Sequence, residues 1–300
     1  MLRRHASYTE AFHAAAQAAS LPDVWSYRGL SVSRVLAVRL YVLSGWLVKT
    51  VSMTSSQKSR LAETRHLRNA YQSQSALVVA TGPSAAQLNV GAAARMQVAG
   101  GQVFALNFYN ECHFSDELVP NFYVLTDPRW FSQLDDDSRV QATWEYIRRH
   151  PSVTLVAPAT VEVGPLYSGT KCIYVNTIGL DGWTRNTNPT RARGYVGLTA
   201  YTAMALAQFM GFEPIYLCGF DSDAFRGIVL DDDLQVGLAP HHAYREHAFA
   251  RLLPIKSVDA ALEFYARHFH DLQLFDLDRF VNLTPNSLLG SIRSGFIPDL

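Results

Sequence analysis

Six short apolar runs constrain this chain more than any other feature of it: "ALVVA" (76–80), "QVFAL" (102–106), "FYVLT" (122–126), "VTLVA" (153–157), "CIYVN" (172–176) and "PIYLCG" (214–219). Each has the length of a strand and is apolar at successive positions, as a strand reads when both its faces are buried in a parallel sheet. Helical patterns lie between several of them, notably 140–149 and 198–210. "LTAYTAMALAQFMGF" is the strongest of these, with Gly211 as its stop immediately before the sixth run. Strands alternating with helices require right-handed crossovers. The expected fold is therefore α/β and Rossmann-like, a mainly parallel sheet flanked by helices. A further amphipathic helix is expected over 258–270 and a late strand at "LQLFDL". With 300 residues, 48% of them hydrophobic, the chain can bury such a core.

The texture changes at Ser75, which divides the chain into an α-helical, basic N-terminal extension (1–74) and a Rossmann-like domain (75–300). Within the extension, 1–30 read as a weak helix and 31–51 as a longer apolar one. Residues 52–75 lack Gly and Pro and read as a solvated, connecting helix. The formal net charge is zero, which gives no global electrostatic case for nucleic acid as a partner. That zero conceals an asymmetry: residues 1–70 carry ten Lys/Arg against three Asp/Glu, and the remainder carries sixteen against twenty-three. The longest uncharged stretch within 31–51 runs from Leu40 to Val48, about half of the roughly 20 residues that span a bilayer. Three roles are open to it: packing on the domain or on another subunit of a homo-oligomer, resting peripherally on an anionic membrane surface, or a transmembrane span. Residues 1–30 contain no apolar core of a signal peptide. Cys112, Cys172 and Cys218 are far apart and form no CxxC pair. Cys218 suits a small buried hydrophobe, and a reducing cytoplasm, peripherally at the inner membrane, is the expected setting.

Candidate chemistry gathers where strands end. Thr81-Gly82-Pro83-Ser84 follows the first run and breaks into a turn, which offers a backbone cradle for a phosphate or ribose, or simply a turn with Ser84 capping a helix. Asn107 ends the second run and Asp127 the third, so three consecutive strand ends carry Ser84, Asn107 and Asp127. In an open parallel sheet that edge is where ligands bind. "TRNTNPTRARGYVGLTAY" places Arg191, Arg193 and Gly194 before a helix that starts near Thr199, and Arg forks suit phosphate or carboxylate. Gly219-Phe220-Asp221 ends the sixth run, and Asp221 with Asp223 offers an Asp-x-Asp pair lacking a third metal ligand at suitable spacing. Asp231–Asp233 reads as a solvated charge run. "APHHAYREHAFAR" contains His241, His242 and His247, which suit a catalytic base near neutral pH, a metal ligand, or a surface or core position.

Taken in order, "TGPS", "VFALNFYNE", Asp127-Pro128, "TAYTAMALAQFMGFEPIYLCGFD", Tyr244-Arg245-Glu246-His247 and "TPNSLL" (284–289) resemble the bacterial lipooligosaccharide sialyltransferases of glycosyltransferase family 42. The resemblance implies a Rossmann-like glycosyltransferase that moves a nonulosonic acid from a CMP-activated donor to a surface-glycan hydroxyl. It implies no cofactor and no essential Mg²⁺. On the matching positions, His247 is the general base and Tyr244, with Arg193 nearby, meets the leaving phosphate. Thr81, Gly82, Pro83, Ser84, Asn107, Asp127, Thr199, Gly219, Asp221, Asn286 and Ser287 hold the donor. Thr81 stands where the family has Asn, and Asp221-Ser222-Asp223 replaces its Asp-aromatic-Tyr. The same skeleton is similar to the domain of hydroxymethylpterin pyrophosphokinases and flagellin-modifying glycosyltransferase-like proteins, which implies a nucleoside triphosphate or another glycosyl donor. A nucleotide-binding protein without catalysis is the third class compatible with these residues.

Overall fold

The structure, a computed structural model, describes residues 32–132, 137–163, 171–223, 227–230, 236–238, 253–254 and 266–298. The extension opens with α1 (Val32–Val51) and α2 (Ser55–Thr64). The sheet-bearing part then runs β1 (Ala76–Val79), α3 (Val90–Val98), β2 (Gln102–Leu106), β3 (Phe122–Val124), α4 (Arg129–Ser132) and α5 (Ser138–Arg149). It continues with β4 (Thr154–Pro158), β5 (Cys172–Val175), α6 (Thr199–Met210) and β6 (Ile215–Cys218). The strands β7 (Ile228–Leu230), β8 (Val236–Leu238) and β9 (Leu253–Pro254) form a small antiparallel sheet of their own. A helix whose described part covers 266–272 (α7) precedes β10 (Phe280–Asn282).

Seven strands form one parallel sheet in the order β10-β6-β1-β2-β3-β4-β5. The chain builds outward from β1 to β5, then returns through α6 to place β6 on the other side of β1. The strand order therefore reverses between β1 and β6, and in open α/β sheets the crevice at such a reversal is the ligand site. Alternation along β1 shows why these runs are apolar throughout. Ala76 and Val78 join the core with Phe104, Met204 and Phe280, whereas Leu77 and Val79 join the opposite core with Val103, Ala105 and Trp144. In α6, eight of twelve residues are buried, so its sequence is apolar all round; Gly211 ends it in a left-handed conformation (φ 91°).

Three expectations are corrected. "LQLFDL" is not a strand: Leu272 and Phe275, three residues apart, turn one apolar side into the core at the end of α7, and the late strand is Phe280–Asn282, paired with β6. The polar stretch 52–75 is not a freely solvated connector. Its helix α2, closed by a Thr54–Gln57 capping box, lies along the edge strand β5 and buries Leu61 and Thr64. The Thr64 hydroxyl donates to the Tyr174 carbonyl (2.8 Å), and Arg60 reaches the Val161 carbonyl (2.9 Å) while lying over the Tyr174 ring. Finally, Ser84 caps no α-helix. Residues Pro83–Gln87 form a 3-10 turn, and Asn89 caps α3 by accepting from the Ala92 amide (3.0 Å).

Candidate active site

The crevice between β1 and β6 is made by two strand ends that touch through glycine. A Cβ on Gly82 would strike the Asp221 carboxylate and the Gly219 carbonyl, and one on Gly219 would strike the Ala80 carbonyl. Gly219 also sits at φ 75°, where a side chain is strained. This close approach lets the Gly82 amide donate to the Gly219 carbonyl (3.1 Å) and brings Asp221 over the turn. The Ser84 hydroxyl donates to Asp221 Oδ2 at 2.8 Å and its amide does so at 3.4 Å. Burial raises the Asp221 carboxyl above its ordinary range; the Ser84 donors oppose this and Asp223 adds to it. A cradle for phosphate and a cradle for ribose were equal readings of the sequence. With a carboxylate already on the turn's donors, a phosphate here meets like charge, and a sugar hydroxyl meets an acceptor.

The segment 284–289 closes over the end of β6. Thr284 Oγ1 accepts from the Phe220 amide (2.9 Å), the Ser287 hydroxyl donates to the Phe220 carbonyl (2.6 Å), and the Leu288 amide donates to the Asp221 carbonyl (3.2 Å). The C-terminal strand-like segment folds back beside β10 through Asn282, whose amide donates to the Arg293 carbonyl and whose carbonyl accepts from the Gly295 amide. Between these pieces lies a cavity of about 170 Å³ bordered by Ser84, Gln87, Asn89, Cys218, Leu283 and Phe296. Burial pushes the Cys218 thiol up to about 12, so it remains a neutral apolar wall. Phe296 is 78% exposed at this site, although nothing in "SGFIPDL" marks it in the sequence.

Farther along the same edge, Asn107 follows β2 with a left-handed backbone (φ 50°), and Asn286 has φ 55°. Neither carboxamide has a hydrogen-bond partner among the described residues. Asp127 follows β3 and accepts from the Arg129 amide (2.9 Å). Arg129 is 41% exposed, faces Asp127 at 3.7 Å, and lies over the rings of Phe108 and Trp130. Thr199 starts α6 and shares a 2.7 Å hydrogen bond with Thr126, which ties α6 to the β3 end. Thr81 is buried beside its turn.

Arg193 belongs to a separate cluster beyond β5. Its guanidinium donates to Asp181 Oδ1 (3.2 Å) and to the carbonyls of Thr177 and Tyr195. Asp181 also meets Arg267 (3.2 Å), and Asp271 on α7 accepts from the Val196 amide (2.7 Å) and faces His270. The structure thus brings together Thr81, Gly82, Pro83, Ser84, Gly219, Asp221, Asn286 and Ser287, with Asn107 and Asp127 on the adjoining strand ends and Thr199 at the start of α6. Tyr244 and His247 lie outside the described residues, as do His241, His242 and Asp231–Asp233. Among the described residues no group of three His, Cys, Asp or Glu side chains is arranged to hold a metal ion.

No protein-family model matches the sequence, and no curated protein matches it. Among solved structures, the chain is similar to the MAf glycosyltransferase from Magnetospirillum magneticum AMB-1, at 11% identity and a TM-score of 0.45. The match covers 89% of this chain and 42% of that one, so this chain spans under half the length of its neighbour.

Proposed function

We propose that this chain is a glycosyltransferase that takes a nonulosonic acid or related sugar from a CMP-activated donor and passes it to a surface-glycan hydroxyl. The observation that carries this reading is the crevice between β1 and β6. It joins a half-buried carboxylate, suited to ribose hydroxyls, to a cavity of about 170 Å³. That volume is below the roughly 300 Å³ at which drug-sized pockets begin, so it suits one nucleoside portion with the remainder lying along the open edge. Phe296 supplies an aromatic face for the base; such stacking is worth about 1–3 kcal/mol. Asn107 and Asn286 keep their carboxamides available for the pyrimidine or the sugar. Arg129, half exposed at the β3 end, suits the donor phosphate better than Arg193, whose donors are committed to Asp181 and two carbonyls. His247 acts as the base on the acceptor and Tyr244 on the leaving phosphate. The transfer needs no metal in this reading.

One observation favours a second reading. Asp223 adds to the cost of ionising Asp221 at a strand end, and a divalent cation relieves such a cost, as an ATP-using pyrophosphokinase requires. A thermal-shift panel of CMP, CDP, UDP, GDP and ATP, each with and without Mg²⁺, separates the two. A ligand at a hundred times its Kd adds about 2.7 kcal/mol. A shift with CMP that is indifferent to Mg²⁺ supports transfer from a CMP donor. A shift only with ATP and Mg²⁺ replaces it with the kinase.

A further inference from the structure

We propose that the outward face of α1 docks on an anionic lipid surface. Leu36, Leu40, Tyr41, Leu47, Val48 and Val51 are each 47% to 80% exposed, six of the nine large apolar side chains exposed among the described residues. At 100° per residue they fall within an arc of about 140°, a single continuous side of the helix. The opposite side holds the protein. Trp46 packs against the cluster of Met53, Leu61, Ala159 and Ile178, and the Arg39 carbonyl accepts from the Trp183 indole (2.9 Å). The aromatic residue that an interfacial helix would ordinarily present to lipid is therefore turned inward, and Tyr41 takes the outward place. No helix among the described residues is long and apolar enough to cross a membrane, so α1 would lie on a surface.

Charge selects the occupant. Residues 1–70 carry ten Lys/Arg against three Asp/Glu, and the rest of the chain has the opposite excess. Lys49 is exposed on α1, and Lys58, Arg65 and Arg68 are exposed just beyond it. A two-fold pairing through α1 would set two such basic segments against each other. A head-to-tail contact of basic segment on acidic body closes into a ring only at particular rotations and otherwise propagates into a filament. An anionic bilayer offers apolar depth for the six side chains and opposite charge for the flanking cations, each worth about a fivefold gain in partitioning.

The test is co-sedimentation of the full chain with phosphatidylcholine vesicles with and without phosphatidylglycerol. Binding should require phosphatidylglycerol and fall with added salt. Leu40→Glu with Val48→Glu should weaken it at least about tenfold, and Lys49→Glu several-fold, with unfolding curves unchanged because all three side chains are exposed. Absence of binding overturns the proposal, as does binding that ignores both variants. A concentration-dependent dimer in solution that the Leu40/Val48 variant disperses also overturns it, and assigns the face to a second copy.

Discussion

Beyond β5, Asp181 is closed in by two guanidiniums, Arg193 and Arg267, each at 3.2 Å. Over the β1–β6 crevice, Asp221 accepts from a serine hydroxyl and amide, with an acidic neighbour and a cavity beside it. Both carboxyls are pushed above their usual range, and in both burial is the leading cause. The difference lies in what opposes that cost. Two cations turn Asp181 into a joint between the loop before α6 and helix α7. Neutral donors from Ser84 oppose it at Asp221, without a cation among the causes of its shift.

Asp181→Ala puts the contrast to its hardest test. Removing it leaves two guanidiniums, 15% and 16% exposed, without their shared anion. Loss of one partner from such a buried pair costs about 3 kcal/mol, to be read from urea unfolding. A loss below about 1 kcal/mol would make Asp181 equivalent to a surface pair and dissolve the distinction. Next in size is Gly219→Ala, which forces a side chain into the left-handed region and against the Ala80 carbonyl. About 2 kcal/mol of stability and the CMP-induced thermal shift should go together. Retention of the shift would place nucleotide binding away from the crevice.

The smallest effect is expected from Asp221→Asn, which keeps an acceptor for Ser84 while removing the half-buried charge. Because the folded carboxyl titrates above its unfolded value of 3.8, the wild-type chain binds more protons folded than unfolded and loses stability as pH rises through that window. The Asn variant does not titrate. Its stability relative to wild type should therefore be higher at pH 7 than at pH 4, while its response to CMP weakens. A variant less stable than wild type at pH 7 would place Asp221 with Asp181 among the joints.

Much of the fold is legible because a doubly buried strand leaves little choice of residue: six apolar runs became six strands of the parallel sheet within a residue or two. Where one segment satisfies two periods, it is not. Leu272 and Phe275 serve a helix end as well as "LQLFDL" serves a strand, and only pairing with β6 selects Phe280–Asn282. Docking of α2 is hidden for a different reason: two residues, Leu61 and Thr64, carry its buried side within a polar sequence. At the site, residue types at strand ends are readable, but how each spends its donors is not. Arg193 and Arg129 look alike as letters; one is fixed in an ion-pair cluster and the other is half exposed. Phe296 reaches the crevice only because the chain folds back along β10.

The Ser84–Asp221 contact joins residues 137 positions apart. At roughly 5–20 residues per second, a ribosome emits the glycine turn many seconds before the carboxylate that completes it. During that interval β1 has β2 beside it but lacks β6, and its inner edge is open. The Ser84–Asp221 contact therefore waits for β6, and β10 joins the sheet later still. A chain truncated before Asp221 would carry six of the seven parallel strands and the glycine turn, without the carboxylate and the 284–289 segment that close over it.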